Sequence, residues 1–193
     1  MITIGITGGI GSGKSYVSDI LRKEFGIPVY DCDKEAKRLT VTDKEIRKEL
    51  TLLVGQEVFK GMALNKKILS DFLFANSEHA RQVNAIIHPA VLKDFKRWAE
   101  KQASKLVALE SAILYESGFN ECVDKVLFVE APEEVRLYRA MQRDTSTEEQ
   151  VRARMKMQQS ERYRFHADYI VDNSTNNSIS LLEQLNKIVH CNI

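Results

Sequence analysis

From Gly8 to Ser15 the chain reads GGIGSGKS, with Gly8, Gly13, Lys14 and Ser15 at the spacing G-x-x-x-x-G-K-[ST]. Each residue type there meets a need of phosphate binding. Glycines let successive backbone N–H groups turn into one concavity, and a helix starting behind them adds the positive end of its dipole. Lys14 would reach the β and γ phosphates of a nucleotide, and Ser15 would place its hydroxyl on the Mg²⁺ that bridges them. A glycine-rich turn with no ligand is the alternative, but the segment also has the required setting between an apolar run, ITIGIT, and a helical pattern.

The loop names a donor and leaves the acceptor open. A GTPase would carry an NKxD reader and a DxxG switch; NKKI at Asn65 lacks the acid, and no DxxG occurs. A motor or transporter ATPase would carry an apolar strand ending in a metal-binding carboxylate, which LVALE at Glu110 and LFVE at Glu130 approximate only loosely. A kinase for a small hydroxyl substrate needs an acid near the γ phosphate and cations to cover the transferring group. Asp31 and Asp33, in the sequence DCD, follow the second apolar run, where carboxylates one residue apart in an extended segment point the same way. Asp33 capping the helix that begins KEAKRL is the competing reading.

Cations crowd the stretch from Arg136 to Arg164. Charge runs commonly form solvated helix faces, and Glu148, Glu149 and Glu161 could pair with them. Arg136, Arg139 and Arg143 nevertheless recur at helical spacing, and RDTST then separates two helical patterns, as in a two-helix lid over phosphates.

The elements that must hold these groups alternate. Ile2 to Thr7, IPVYD, KLVALES (Lys105 to Ser111), KVLFVEA (Lys125 to Ala131) and DYIVDN (Asp168 to Asn173) are five compact apolar runs of the kind buried in a parallel sheet. Tyr16 to Phe25 and Ser178 to Val189 have helical periodicity. Lys34 to Lys105 is helical throughout, with Asp43, Asn65 and Ser77 as candidate caps, too much helix for one crossover. The expectation is a doubly wound α/β domain of 193 residues with ligands at the carboxyl ends of the strands.

Composition narrows the partners. Lys and Arg total 28 against 27 Asp and Glu, so a net charge of +1 gives no global attraction to nucleic acid or an anionic membrane. Cys32, Cys122 and Cys191 are distant and odd in number, which argues against a disulfide framework and for a reducing, cytoplasmic setting. No run reaches the ~18 apolar residues of a membrane helix.

Taken jointly, GITGGIGSGKS (Gly5 to Ser15), YDCD (Tyr30 to Asp33), IIHPAV (Ile86 to Val91), ILYE (Ile113 to Glu116), RAMQRD (Arg139 to Asp144) and ADYIVDNS (Ala167 to Ser174) resemble the bacterial dephospho-coenzyme A kinases from end to end. The resemblance implies a P-loop kinase fold: a five-stranded parallel sheet with helices on both faces, a helical substrate-binding insertion and a helical lid. It divides a single domain into a core of residues 1–33, 105–131 and 166–193, a substrate subdomain of about 34–104 and a lid of about 132–165. It implies ATP and dephospho-coenzyme A as substrates, Mg²⁺ as cofactor, transfer to the ribose 3′-hydroxyl, and no nucleic acid, membrane or obligate protein partner.

Carried over, Gly11, Ser12, Gly13, Lys14, Ser15 and Tyr16 would hold the ATP phosphates, and Asn173 would begin the loop beside the ATP base. Asp33 would orient or deprotonate the hydroxyl, with Asp31 beside it; Arg139, supported by Arg143, would stabilise the transferring group. His88 is either a contact to the acceptor or a structural joint before Pro89, which suits a first helical turn. Glu116 is either a substrate or metal-water contact or a helix-starting acid. The chain departs from the family at Cys32, at Tyr16 where Thr is usual, and at Ala112, where a proline is usual. Another small-molecule P-loop kinase, acting on a nucleoside or nucleoside monophosphate, and a nucleotide-dependent binding module are the alternatives.

Overall fold

The computed structural model describes residues 1–158, 160–175 and 177–191. By chain contacts it divides into two compact units, Met1–Tyr30 with Gln102–Ile193, and Asp31–Lys101.

The first unit is built on a parallel sheet. Among the described residues its strands are β1 (Ile2–Thr7), β2 (Val29–Asp31, at the boundary with the second unit), β5 (Leu106–Glu110), β6 (Lys125–Glu130) and β7 (Tyr169–Asp172), in the order β2-β5-β1-β6-β7. β1 is central, with register Ile6↔Glu110 to β5 and Thr7↔Phe128 to β6. The chain therefore runs outward from β1 in both directions, and the turn after β1 lies at the switch point where open α/β sheets bind ligands. That turn is the glycine loop.

Strand patterning explains the packing. Ile4 and Ile6 point to one face, where α1 (Lys14–Glu24) contributes Val17, Ile20 and Leu21 and α8 (Ser178–Cys191) contributes Leu181, Leu185 and Ile188 to a single buried cluster. Gly5 points to the other face, where a Cβ would lie 2.8 Å from Leu114 Cδ2, so the strand is pressed there against the segment that follows β5. Two further helices, α6 (Glu133–Asp144) and α7 (Glu148–Gln158), pack through Leu137, Ala140 and Val151. Ile10 of the glycine loop joins that small cluster.

The second unit is mainly helical: α2 (Cys32–Thr42), α3 (Lys44–Val54), α4 (Lys66–Ala75) and α5 (Ser77–Ala99). Asp43 caps α3, its Oδ1 accepting from Glu45 N at 2.9 Å and Ile46 N at 3.1 Å, and Asn65 caps α4. The cap of α5 is Asn76, which accepts from His79 N at 2.8 Å; Ser77, expected there, is the first helical residue. The helical pattern also conceals a hairpin, β3 (Phe59–Lys60) paired with β4 (Ala63–Leu64), turning at Gly61 with φ 59°. Arg47 bonds the Gly61 carbonyl at 2.6 Å and lies over the Phe59 ring, which fastens the hairpin to α3. No described helix is long and apolar enough to cross a membrane.

Candidate active site

The loop from Gly8 to Gly13 is shaped by what surrounds it. Gly11 has φ 78°, and a Cβ there would lie 2.1 Å from the Arg136 carbonyl oxygen. Gly13 has φ 93°, and a Cβ would lie 2.1 Å from Asn173 Nδ2. Both positions demand glycine twice over, for backbone conformation and for space. The buried Asn173 side chain donates from Nδ2 to the Ser12 carbonyl at 2.8 Å, which ties the residue after β7 to the loop. Ser12 is itself fully buried, and its N–H donates to the Gly9 carbonyl at 3.1 Å, which closes the loop on itself.

Lys14 and Ser15 open α1 at the carboxyl edge of the sheet. The Lys14 ammonium donates to the carbonyls of Gly8 at 2.8 Å and Gly9 at 3.1 Å, which holds the charge across the start of the loop. Ser15 Oγ donates to Glu110 Oε1 at 2.7 Å. Glu110, the last residue of β5, is buried, so the sheet aims a carboxylate at the hydroxyl expected to meet a metal. A hydroxyl beside one carboxylate, completed by phosphate oxygens and water, is a donor set that suits Mg²⁺. In the sequence Glu110 is only a loose match to a strand ending in a metal-binding carboxylate, because one acid ending an apolar strand is a weak signal; the register with β1 is what brings it to Ser15.

Gly13, Tyr16, Arg139 and Asn173 line a cavity of about 330 Å³. Arg139 Nη1 donates to the Asn173 carbonyl at 2.9 Å, so the α6 cation and the residue after β7 are fixed together beside the loop. Tyr16 is 45% exposed and forms the aromatic side of this opening.

The three arginines at helical spacing have different surroundings. Arg136 is buried and donates from Nε to the Ala131 carbonyl at 3.0 Å, at the start of its own helix. Arg143 is exposed and pairs with Asp144 at 2.7 Å, and Arg154 of α7 reaches the same carboxylate at 2.9 Å. These two guanidiniums hold the Asp144 carboxyl down at about 2. Arg152 pairs with Glu133, Glu134 and Glu148, a solvent-facing network joining the two helices.

Glu116 lies in the turns between β5 and β6 rather than at a helix start; it is exposed at the surface, and partial desolvation raises its carboxyl above the ordinary range. Its neighbour Tyr115 stacks on Tyr163, with centroids 4.5 Å apart.

Asp31, Asp33 and His88 belong to the second unit. The cap of α2 is Asp31, whose Oδ1 accepts from Lys34 N at 2.9 Å; Asp33, for which capping is the competing reading, stands in the first helical turn and is exposed. The two acids are not in one extended segment, because the strand stops at Asp31 and the helix starts at Cys32. His88 is half-buried within α5, and burial lowers its ring pKa below the ordinary value. Pro89 is an interior residue of that helix, not a first-turn residue, so His-Pro is no junction between elements; the proline only withdraws one N–H from the helical ladder.

A family model described as dephospho-CoA kinase, CoaE, matches residues 2–178. The dephospho-CoA kinase of Bacteroides fragilis strain YCH46 is 52% identical over 161 residues, covering 83% of this chain and 78% of its own. The crystal structure of TT1252 from Thermus thermophilus superposes with a TM-score of 0.85 at 34% identity, covering 97% of this chain and 95% of its own. A dephospho-CoA kinase from Campylobacter jejuni shares the fold, with a TM-score of 0.67 at 24% identity over 97% of this chain and 94% of its own.

Proposed function

Because the chain belongs to the dephospho-coenzyme A kinase family, we propose that it transfers the γ-phosphoryl group of ATP to the ribose 3′-hydroxyl of dephospho-coenzyme A, giving coenzyme A and ADP. This is the last step of coenzyme A biosynthesis, and a cytoplasmic one. The observation that carries the reading is the family match across residues 2–178, which contains the glycine loop with Lys14, Ser15 and Glu110 already in hydrogen-bonded order.

The chemistry follows from the residue types. Backbone N–H groups of Gly11 to Tyr16 and the start of α1 receive the ATP phosphates, and Lys14 moves from the Gly8 and Gly9 carbonyls to phosphate oxygens. Ser15 and Glu110 would hold Mg²⁺, which offsets phosphate charge when bound. Tyr16 and Asn173, in the cavity beside the loop, take the nucleoside end.

Asp33 aligns the acceptor hydroxyl and accepts its proton. The hydroxyl oxygen then bonds to the γ phosphorus as the bond to the β–γ bridging oxygen breaks, and ADP leaves with that electron pair. Arg139, with Arg143 behind it, offsets charge on the group in flight. Asp31 sets the start of α2 and so the placing of Asp33; His88, as a neutral ring, and Glu116 contact the acceptor. In this reading residues of about 34–104 bind the acceptor, about 132–165 form the lid, and 1–33, 105–131 and 166–193 form the core.

The test is an acceptor panel. Purified protein with Mg-ATP should release ADP with dephospho-coenzyme A and far more slowly with nucleosides or nucleoside monophosphates; faster release with either of these would replace the assignment.

A further inference from the structure

Gln158, the last residue of α7, places its side-chain amide between the phosphate loop and the segment after β5. Its Oε1 accepts from Ile10 N at 2.8 Å, and its Nε2 donates to the Ala112 carbonyl at 2.6 Å. The Gly8 carbonyl lies 3.5 Å from the same Nε2 and also accepts from Lys14 at 2.8 Å. One neutral side chain thus touches the loop at two residues, shares an acceptor with the loop lysine, and bonds the strand-end segment that leads from Glu110 toward Glu116.

We propose that Gln158 is a positioning residue for ATP: it sets the conformation of Gly8–Ile10 before the nucleotide arrives and orients the carbonyl from which Lys14 is delivered. The proposal rests on the reading of Gly8–Ser15 as the ATP phosphate loop. Loop backbone is costly to order, and a loop that is already fixed binds its ligand without that cost. Fixing it needs both an acceptor for the Ile10 N–H and a donor to Ala112, which a primary amide supplies and neither a carboxylate nor a methyl group can. The apolar contact of Ile10 with Leu137, Ala140 and Val151 holds the loop tip to α6 and α7 but orders no polar group, so the amide has its own task.

Three measurements test this on Gln158→Ala and Gln158→Glu: equilibrium binding of Mg-ATP without acceptor, thermal unfolding, and steady-state kinetics with each substrate varied. Gln158→Ala leaves the Ile10 N–H and the Ala112 carbonyl without these partners, and the expected result is a Kd for Mg-ATP raised about tenfold. KM for ATP should rise with it, while KM for dephospho-coenzyme A and kcat at saturation stay close to wild type and the unfolding midpoint falls by only a few degrees. Gln158→Glu keeps the acceptor and loses the donor, and should also weaken ATP binding. Wild-type ATP affinity in both variants would overturn the proposal, as would equal losses in the two KM values, which mark general damage. Failure of the wild-type protein to phosphorylate dephospho-coenzyme A would instead remove the acceptor assignment, and a raised Kd for ATP in the variants would still support the role of Gln158.

Discussion

Ser15 Oγ and Glu110 Oε1 stand 2.7 Å apart, joining the first turn of α1 to the end of β5 across the sheet's carboxyl edge. The bond orients the hydroxyl, and it puts a buried negative charge where a divalent cation on the nucleotide would need one.

Replacing Glu110 with Gln preserves an acceptor for Ser15 and removes the charge. The half-saturating Mg²⁺ concentration should rise by about 10- to 100-fold, as for other metal-site partners. Magnesium titration of the initial rate at saturating ATP measures this, and an unchanged titration would exclude Glu110 from the metal site.

Gly11→Ala should disable the loop. Its Cβ would sit 2.1 Å from the Arg136 carbonyl oxygen in a backbone conformation with φ 78°, so either the loop or the start of α6 must shift. A stability loss of roughly 2 kcal/mol or more follows from the strain, with weakened ATP binding. Urea unfolding and ATP titration of the same sample report the two effects.

Asp33→Asn and Arg139→Ala should both bind Mg-ATP nearly as wild type does and turn over slowly. For Arg139, loss of a charge aimed at the transferring group should cost about 10²- to 10³-fold in rate. Single-turnover kinetics separate this from product release. If Arg139→Ala loses affinity and keeps its rate, the bond to the Asn173 carbonyl is the arginine's main contribution.

Acid should weaken the tie between α6 and α7 that runs through Asp144. The Asp144 carboxyl is held at about 2 by Arg143 and Arg154, below its ordinary value of 3.8. A carboxyl with a depressed folded-state pKa stabilises the fold above its unfolded pKa, and that contribution fades as pH falls from about 4 toward 2. Asp144→Asn should therefore cost about 1 kcal/mol at pH 7, limited by solvent screening, and progressively less as the medium is acidified through that window. Urea midpoints of both proteins across the range give the comparison.

The sequence exposes contiguous features well. The strands around Ile4, Val107, Leu127 and Val171 and the G-x-x-x-x-G-K-S spacing are local patterns, and each of these four strands falls within its apolar run. Pairings across the fold leave no such trace. Glu110 and Gln158 acquire their places through the β1–β5 register and the path of α7, separated from the loop by 95 and 148 residues in their bonds to Ser15 and Ile10. Local competition hides other details. Asp31 rather than Asp33 caps α2 because the helix starts at Cys32, two residues earlier than a cap at Asp33 would require, and Asn76 takes the α5 cap from Ser77 by a one-residue shift. The hairpin at Gly61 escapes notice because two-residue strands are too short to show alternation.

The identity of the phosphorylated product tests the central claim most directly. Incubation with Mg-ATP and dephospho-coenzyme A, followed by phosphorus NMR and mass analysis of the product, should show one new phosphate monoester on the ribose 3′ oxygen and stoichiometric ADP. A phosphate at another position, or ADP formed with dephospho-coenzyme A left intact, would contradict it.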